Sequence, residues 1–252
     1  MKIRVLGSAG GEFPGFQPPA FLLDDVLLLD AGTTGAALTE EEQAAIRGIC
    51  VTHAHLDHVR GIPMLADNRA IGNCPGSLEL AGSAETLATL RQHLFNGVVW
   101  PDFSVIPSPD APIIVYRELQ PEVAVDVAGY RIASCPVNHT VPAVGYLVGR
   151  NGKSVLYSGD TGPTERLWEL ATGADALIVE VSFPNEREEL ALKTGHLTSR
   201  LLAQELAKVV ELPPMILITH PKPQYYDIIR AELAALGLSR LELLHDGAVY
   251  EF

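Results

Sequence analysis

The sequence predicts an α/β protein built as a four-layer αββα sandwich, two facing mixed sheets with helices outside. Three observations carry this. The chain falls into two successive halves, each strand-rich and then helical, which can bury their apolar faces by packing sheet on sheet with helices over the outer surfaces. Its last third alternates strand and helix units. At 252 residues with 47% hydrophobic content it can bury a sizeable core, and residues 1–252 are expected to form one domain.

Taken in order, Lys2–Leu6 reads as a strand running into a glycine-rich turn through Gly7, Gly10, Gly11 and Gly15. That turn has neither the GxxxxGK[ST] nor the GxGxxG spacing that opens a helix, so it is weak evidence for a phosphate cradle. Phe21–Leu23 and Val26–Leu29 read as a hairpin across Asp24-Asp25. Asp30, at its end, suits either of two roles: accepting a hydrogen bond from a ligand histidine, or capping a turn. Thr39–Ile46 is a capped helix, with Thr39 at the N-cap and Glu42 at the capping-box position. Ile49–Val51 is a short buried strand, Ile62–Ala66 a helix, and Ala84–Phe95 another helix with His93 on its polar face. Residues 96–112 then break the rhythm with Trp100, Phe103 and several prolines. They form either a lid whose aromatics stack on a purine or a surface loop whose aromatics pack on the core or a dimer partner.

From Ile113 the pattern turns to strands: Ile113–Tyr116, Val123–Val127 and Tyr130–Cys135, then Gly145–Val148 and Ser154–Tyr157 paired across Asn151-Gly152, a strong hairpin signal. The remainder reads as helix Pro163–Ala171, strand Ala176–Val179, helix His196–Val210, strand Met215–Ile218, helix Tyr226–Leu236, and closing strands Leu241–Leu244 and Val249–Phe252.

Composition narrows the partners. A formal charge of -13 argues against a long nucleic-acid backbone as ligand, because neutralising phosphates takes a basic surface. A small anionic substrate is compatible, since bound cations invert the local field. No apolar run reaches the length of a membrane span and no ordinary signal peptide is visible, so no membrane association and a cytoplasmic location are expected. Cys50, Cys74 and Cys135 lack CxxC spacing and read as inert thiols.

The densest chemistry lies in Val51-Thr52-His53-Ala54-His55-Leu56-Asp57-His58. An apolar strand ends there and a helix follows. His53 and His55, two residues apart in extended chain, project to one side, and Asp57 and His58 fall near a helix N-terminus. Imidazole nitrogen and carboxylate oxygen suit a borderline cation such as zinc, and four such groups within six residues exceed what one tetrahedral ion takes from one segment. The spacing therefore predicts a two-metal site, expected at one sheet edge. His139 and Asp160 also follow strands. Read alone, His139 is a core histidine or a ligand, and Asp160 a helix cap or a carboxylate bridging two ions.

His53-Ala54-His55-Leu56-Asp57-His58 resembles the HxHxDH signature of the metallo-β-lactamase fold, and the longer run HAHLDHVRG is similar to that of class II cyclic nucleotide phosphodiesterases. The resemblance extends to Gly7-Ser8-Ala9-Gly10-Gly11, to Val181-Ser182-Phe183-Pro184-Asn185-Glu186 with Gly195-His196-Leu197-Thr198, and to Thr219-His220-Pro221-Lys222-Pro223. It implies a sandwich of the metallo-β-lactamase type and three further ligands, His139, Asp160 and His220. One ion would then take His53, His55 and His139, the other Asp57, His58 and His220, with Asp160 shared. Two Zn2+ are implied, although Mn2+ or Fe suits the same donors.

The resemblance also implies hydrolysis of a 3′,5′-cyclic nucleotide (cAMP or cGMP) to its 5′-monophosphate by an activated water that Asp57 helps to orient. His196, steadied by Glu180, would donate to a phosphate oxygen or protonate the departing alkoxide. Glu180 as a helix-capping acceptor is the plainer alternative. A small-molecule partner and a homodimer follow by analogy. RNase Z-type tRNA processing uses the same ligands, and the fold also admits thioester, lactam or other cyclic-phosphodiester hydrolysis. A metal-bound sensor without turnover would need no Glu180 and His196 pair.

Overall fold

The computed structural model describes residues 1–252. Its first half runs β1 (Lys2–Gly7), β2 (Ala20–Leu23), β3 (Leu27–Leu29), α1 (Glu40–Ala45), β4 (Gly48–Cys50), the single turn α2 (Leu56–Val59), α3 (Ile62–Ile71), β5 (Leu78–Gly82), α4 (Ala84–His93) and β6 (Ile114–Glu118). The second half runs β7 (Val125–Val127), β8 (Tyr130–Pro136), β9 (Val144–Arg150), β10 (Lys153–Tyr157), α5 (Arg166–Glu169), β11 (Ala176–Glu180), α6 (Glu188–Thr194), α7 (Ser199–Leu206), β12 (Met215–Thr219), α8 (Tyr226–Ala235), β13 (Leu241–Leu243) and β14 (Val249–Glu251).

Two seven-stranded sheets result, in the orders β14-β1-β2-β3-β4-β5-β6 and β13-β12-β11-β10-β9-β8-β7. Each is antiparallel on one side and parallel on the other. The change falls at β3 in the first sheet and at β10 in the second. In α/β sheets, ligands bind beyond the carboxyl ends of the strands where the topology switches. The expected sandwich is the one observed.

The layers follow from strand periodicity. Phe21 and Leu23 face the core between the sheets while Leu22 faces the helices outside. Leu27 and Leu29 alternate with Leu28 in the same way. In the second sheet Ile178 points inward and Leu177 and Val179 point to the helices. With both faces buried, these strands read as unbroken apolar runs. The two hairpins have their expected turns: Asp24 and Asp25, and Asn151 and Gly152, all have positive φ. The capping box of α1 is formed as expected, with Glu42 N donating to Thr39 Oγ1 and Thr39 N to Glu42 Oε2.

Several boundaries differ. The metal turn leaves β4, an interior strand, so it lies at a strand end and not at a lateral sheet edge. Strand β5 is absent from the sequence pattern, because Leu78-Glu79-Leu80-Ala81 has helix-forming residues and becomes a strand only by pairing with β4 and β6. The helix expected over Pro163–Ala171 shrinks to Arg166–Glu169. The Thr164 amide and the Trp168 indole there donate instead to buried Glu205. The helix expected to begin at His196 begins at Ser199, capped by Thr198, and the separate helix α6 ends at Gly195 in the left-handed region. Phe103 is buried in the outer core and the Trp100 indole donates to the Pro63 carbonyl, so the aromatics of 96–112 serve packing. No helix is long and apolar enough to cross a membrane.

Candidate metal centre

His53, Asp160 and His220 follow the carboxyl ends of β4, β10 and β12, Glu180 ends β11, and His139 leaves β8, so one rim gathers residues 167 positions apart in sequence. All nine candidate residues meet there. His53, His55, His139 and Asp160 offer ligand atoms within 4.8 Å of one another, and so do Asp57, His58 and His220. Asp160 lies between the groups. Its Oδ2 is 3.3 Å from His58 Nε2, 3.3 Å from His220 Nε2 and 3.8 Å from His53 Nε2. Asp57 Oδ2 is 3.4 Å from His220 Nε2. His245 and His93 are exposed and lie outside the cluster.

Four of the imidazoles are held by their outer nitrogens. His58 Nδ1 donates to Asp30 Oδ2 at 2.7 Å, the first of the two roles open to Asp30. Asp30 also accepts from the Thr52 amide at 2.8 Å and the Tyr157 hydroxyl at 2.8 Å. Thr52 Oγ1 donates to Asp30 at 2.9 Å, so its oxygen is left to accept from His53 Nδ1 at 3.0 Å. His139 Nδ1 donates to the Gly195 carbonyl at 2.9 Å. Ser182 Oγ donates to Glu180 Oε2 at 2.8 Å and accepts from His220 Nδ1, also at 2.8 Å. With the proton placed on Nδ1, each ring turns an Nε2 lone pair inward. Gly195, at φ +68°, permits this at His139, since a Cβ there would sit 2.9 Å from His139 Cα.

The inward nitrogens test the fit to a metal. His53 Nε2, His58 Nε2 and His220 Nε2 are buried and have no hydrogen-bond partner. Three orphaned acceptors around one carboxylate are costly unless a cation satisfies them. Imidazole and carboxylate are the donors that divalent ions such as zinc take. The residues fit.

Electrostatics favour the neutral form at three of the rings and the charged form at His58. Burial pushes His53, His55 and His220 below the ordinary histidine value. At His58 burial is outweighed by Asp160 and Asp30, which hold its pKa well above the ordinary value. At Asp57 burial is outweighed by the His220 contact and the His58 charge, leaving the carboxyl well below the usual range. Asp160 is held low by His220 and His58 against its own burial.

Beside this cluster lies a second array. Glu180 is fully buried, and its carboxylate accepts from His196 Nδ1 at 2.7 Å, the Thr161 amide at 3.0 Å, Ser182 Oγ at 2.8 Å and the Leu197 amide at 3.3 Å. Burial opposes the charged form of His196, but Glu180 raises its pKa above the ordinary value. Such an imidazole keeps its proton to higher pH than an ordinary histidine and can deliver it from Nε2 to an anionic oxygen. The sequence reading above gives no role to Ser182 or Thr52. Ser182 stands two residues after Glu180, on the same side of extended chain, and Thr52 directly precedes His53; those spacings are the signals that find them.

Comparison with known proteins places this geometry. A model of the "Beta-lactamase superfamily domain" matches residues 26–220. A probable 3′,5′-cyclic-nucleotide phosphodiesterase of Yersinia pestis is 30% identical over 211 residues, covering 72% of this chain and 58% of that protein, so this chain spans less than two thirds of that relative's length. Ribonuclease Z of Pyrobaculum calidifontis is 29% identical over 266 residues, covering 93% of this chain and 92% of that one. Among solved structures, unliganded yeast PDE1 superposes with a TM-score of 0.81 at 17% identity, covering 98% of each chain, a likeness of fold. The chain belongs to the beta-lactamase superfamily and has the metallo-β-lactamase fold of its hydrolases.

Proposed function

We propose that this protein is a dinuclear metal-dependent phosphodiesterase that hydrolyses 3′,5′-cyclic nucleotides to 5′-monophosphates. The observation that carries the reading is the Glu180–His196 pair set beside the histidine and aspartate cluster, with His196 close enough for its ring centroid to lie 5.4 Å from that of His220. His53, His55, His139 and Asp160 would hold one divalent ion, and Asp57, His58 and His220 the other, with Asp160 also facing the second group. The ions would supply an activated water and offset the charge that builds on phosphate oxygens. The protein's own part is to keep a proton on His196 for the leaving 3′ oxygen, with Glu180 orienting the ring. Asp57, on the partly open side, is placed to orient the incoming water.

RNase Z-like cleavage is the second reading, favoured by the near end-to-end match to the Pyrobaculum calidifontis protein. The acidity of the chain, -13, weighs against an RNA phosphate backbone as ligand. The test is metal content together with hydrolysis of cAMP and cGMP before chelation, after chelation and after return of Zn2+, Mn2+ or Fe2+, alongside precursor tRNA, an aryl phosphodiester and a β-lactam. Metal-dependent formation of 5′-monophosphate is expected. Cleavage of precursor tRNA with no turnover of either cyclic nucleotide would overturn the reading.

A further inference from the structure

Next to His55 the surface opens into a cavity of about 290 Å³. One side is the first two turns of α4, with Glu85, Thr86 and Thr89, and the other is Val141 and Pro142, from the same connection that carries His139. The cavity therefore shares one wall residue with the candidate metal cluster and one loop with another. Its volume is at the low end for small-molecule sites, room for one heterocycle and not for a strand of nucleic acid.

The polar side of this cavity is made of acceptors. The Glu85 carboxylate only accepts when ionised, is exposed, and is engaged with no cation of the chain. Thr89 Oγ1 commits its proton to the Glu85 carbonyl at 2.9 Å, leaving lone pairs. Thr86 Oγ1 accepts from Ser83 Oγ at 3.0 Å and keeps its own proton, the one donor on this side. Val141 and Pro142 offer the opposing apolar surface on which a flat ring can lie.

Resting on the phosphodiesterase reading, we propose that this cavity is the base subsite and that Glu85 makes it select guanine over adenine. A carboxylate pairs with two adjacent donors, which guanine presents as N1–H and N2–H2. Adenine sets its N6–H2 donor beside the N1 lone pair, which a carboxylate repels. The negative side chain also discourages a continuing polynucleotide, whose phosphates it would face.

The experiment compares kcat/KM for cyclic GMP and cyclic AMP in the metal-loaded wild type, Glu85→Gln and Glu85→Ala, with bis(p-nitrophenyl) phosphate as a substrate that has no base. Wild type is expected to favour cyclic GMP by roughly tenfold or more, the discrimination a two-bond contact provides. Glu85→Gln, which offers one acceptor and one donor, is expected to move the ratio toward cyclic AMP, and Glu85→Ala to erase it, with the aryl diester unaffected in both. A ratio that stays the same in all three proteins overturns the subsite and leaves the phosphodiesterase reading standing. Calorimetric binding of 5′-GMP and 5′-AMP separates the two failures. If neither cyclic nucleotide is turned over, 5′-GMP selectivity lost in Glu85→Gln still supports the subsite, and equal binding of both nucleotides overturns it.

Discussion

Ser182 Oγ lies 2.8 Å from both Glu180 Oε2 and His220 Nδ1, so a single hydroxyl ties the carboxylate that orients His196 to an imidazole of the candidate metal cluster. It has one proton to give. The carboxylate can only accept, so Ser182 donates to Glu180 and accepts from His220, which fixes the inward lone pair of His220 Nε2. Removing the hydroxyl frees the His220 ring to change tautomer. Ser182→Ala is expected to weaken binding of the ion at the Asp57, His58 and His220 group by about 10- to 100-fold. Metal titration of the apoprotein with two-site analysis checks this. Unchanged binding of both ions would show that Ser182 does not set the tautomer.

Asp30 carries a different load, because His58, Thr52 and Tyr157 all donate to it in a fully buried setting. Asp30→Ala leaves those donors without a partner and a buried imidazole uncompensated. The expected loss is about 2 to 4 kcal/mol of folding stability, read from urea unfolding, together with loss of metal. A loss under about 1 kcal/mol would mean that water or a neighbour takes over the role.

His196 is expected to act on the chemical step. His196→Ala should lower kcat by about 10²- to 10⁴-fold while metal content, measured by mass spectrometry, stays at the wild-type level. Loss of metal in this variant would reassign His196 to the ion cluster.

The pH profile tests the partner. In the proposed reaction His196 acts protonated, and against its burial Glu180 raises its pKa above the ordinary histidine value. Activity should therefore fall as pH rises through that raised value. Glu180→Gln removes the anion that favours the imidazolium, so the alkaline limb of kcat should move to lower pH. A limb that does not move would count against His196 as the proton donor.

Gly10 has a packing reason to lack a side chain, since a Cβ would meet His220 Nδ1 and the His220 carbonyl at 2.6 Å. Gly10→Ala should displace His220, reduce metal content and cost about 1 to 3 kcal/mol. Gly35→Ala, where a Cβ meets nothing within 4 Å, is the matched control and should be near neutral in thermal unfolding.

Local rules made much of the fold legible. Asn151-Gly152 between apolar runs and Thr39 three residues before Glu42 are short-range signals whose geometry is set within a few residues, and the structure repeats them. Strand β5 and the start of α7 were not legible. Leu78-Glu79-Leu80-Ala81 suits a helix on its own and is a strand because β4 and β6 flank it, and His196 stays out of a helix because Gly195 and Thr198 end one and cap the next. The lid reading of 96–112 met the same limit, since whether Phe103 faces substrate or core depends on contacts remote in sequence.

By itself the sequence determined the chemistry available: six histidines of the right kind at strand and loop ends, the carboxylates that accompany them, and a family signature compact enough to sit within six residues. Only the tertiary structure decided which nitrogen of His53, His58, His139 and His220 faces inward. That choice is made by Asp30, Thr52, Gly195 and Ser182, whose polar atoms reach the rings from other strands and loops, or through a side chain bent back by the fold. A hydrogen bond has direction and a reach of about 3 Å, so the chain had to close before any of those imidazoles had a tautomer to keep.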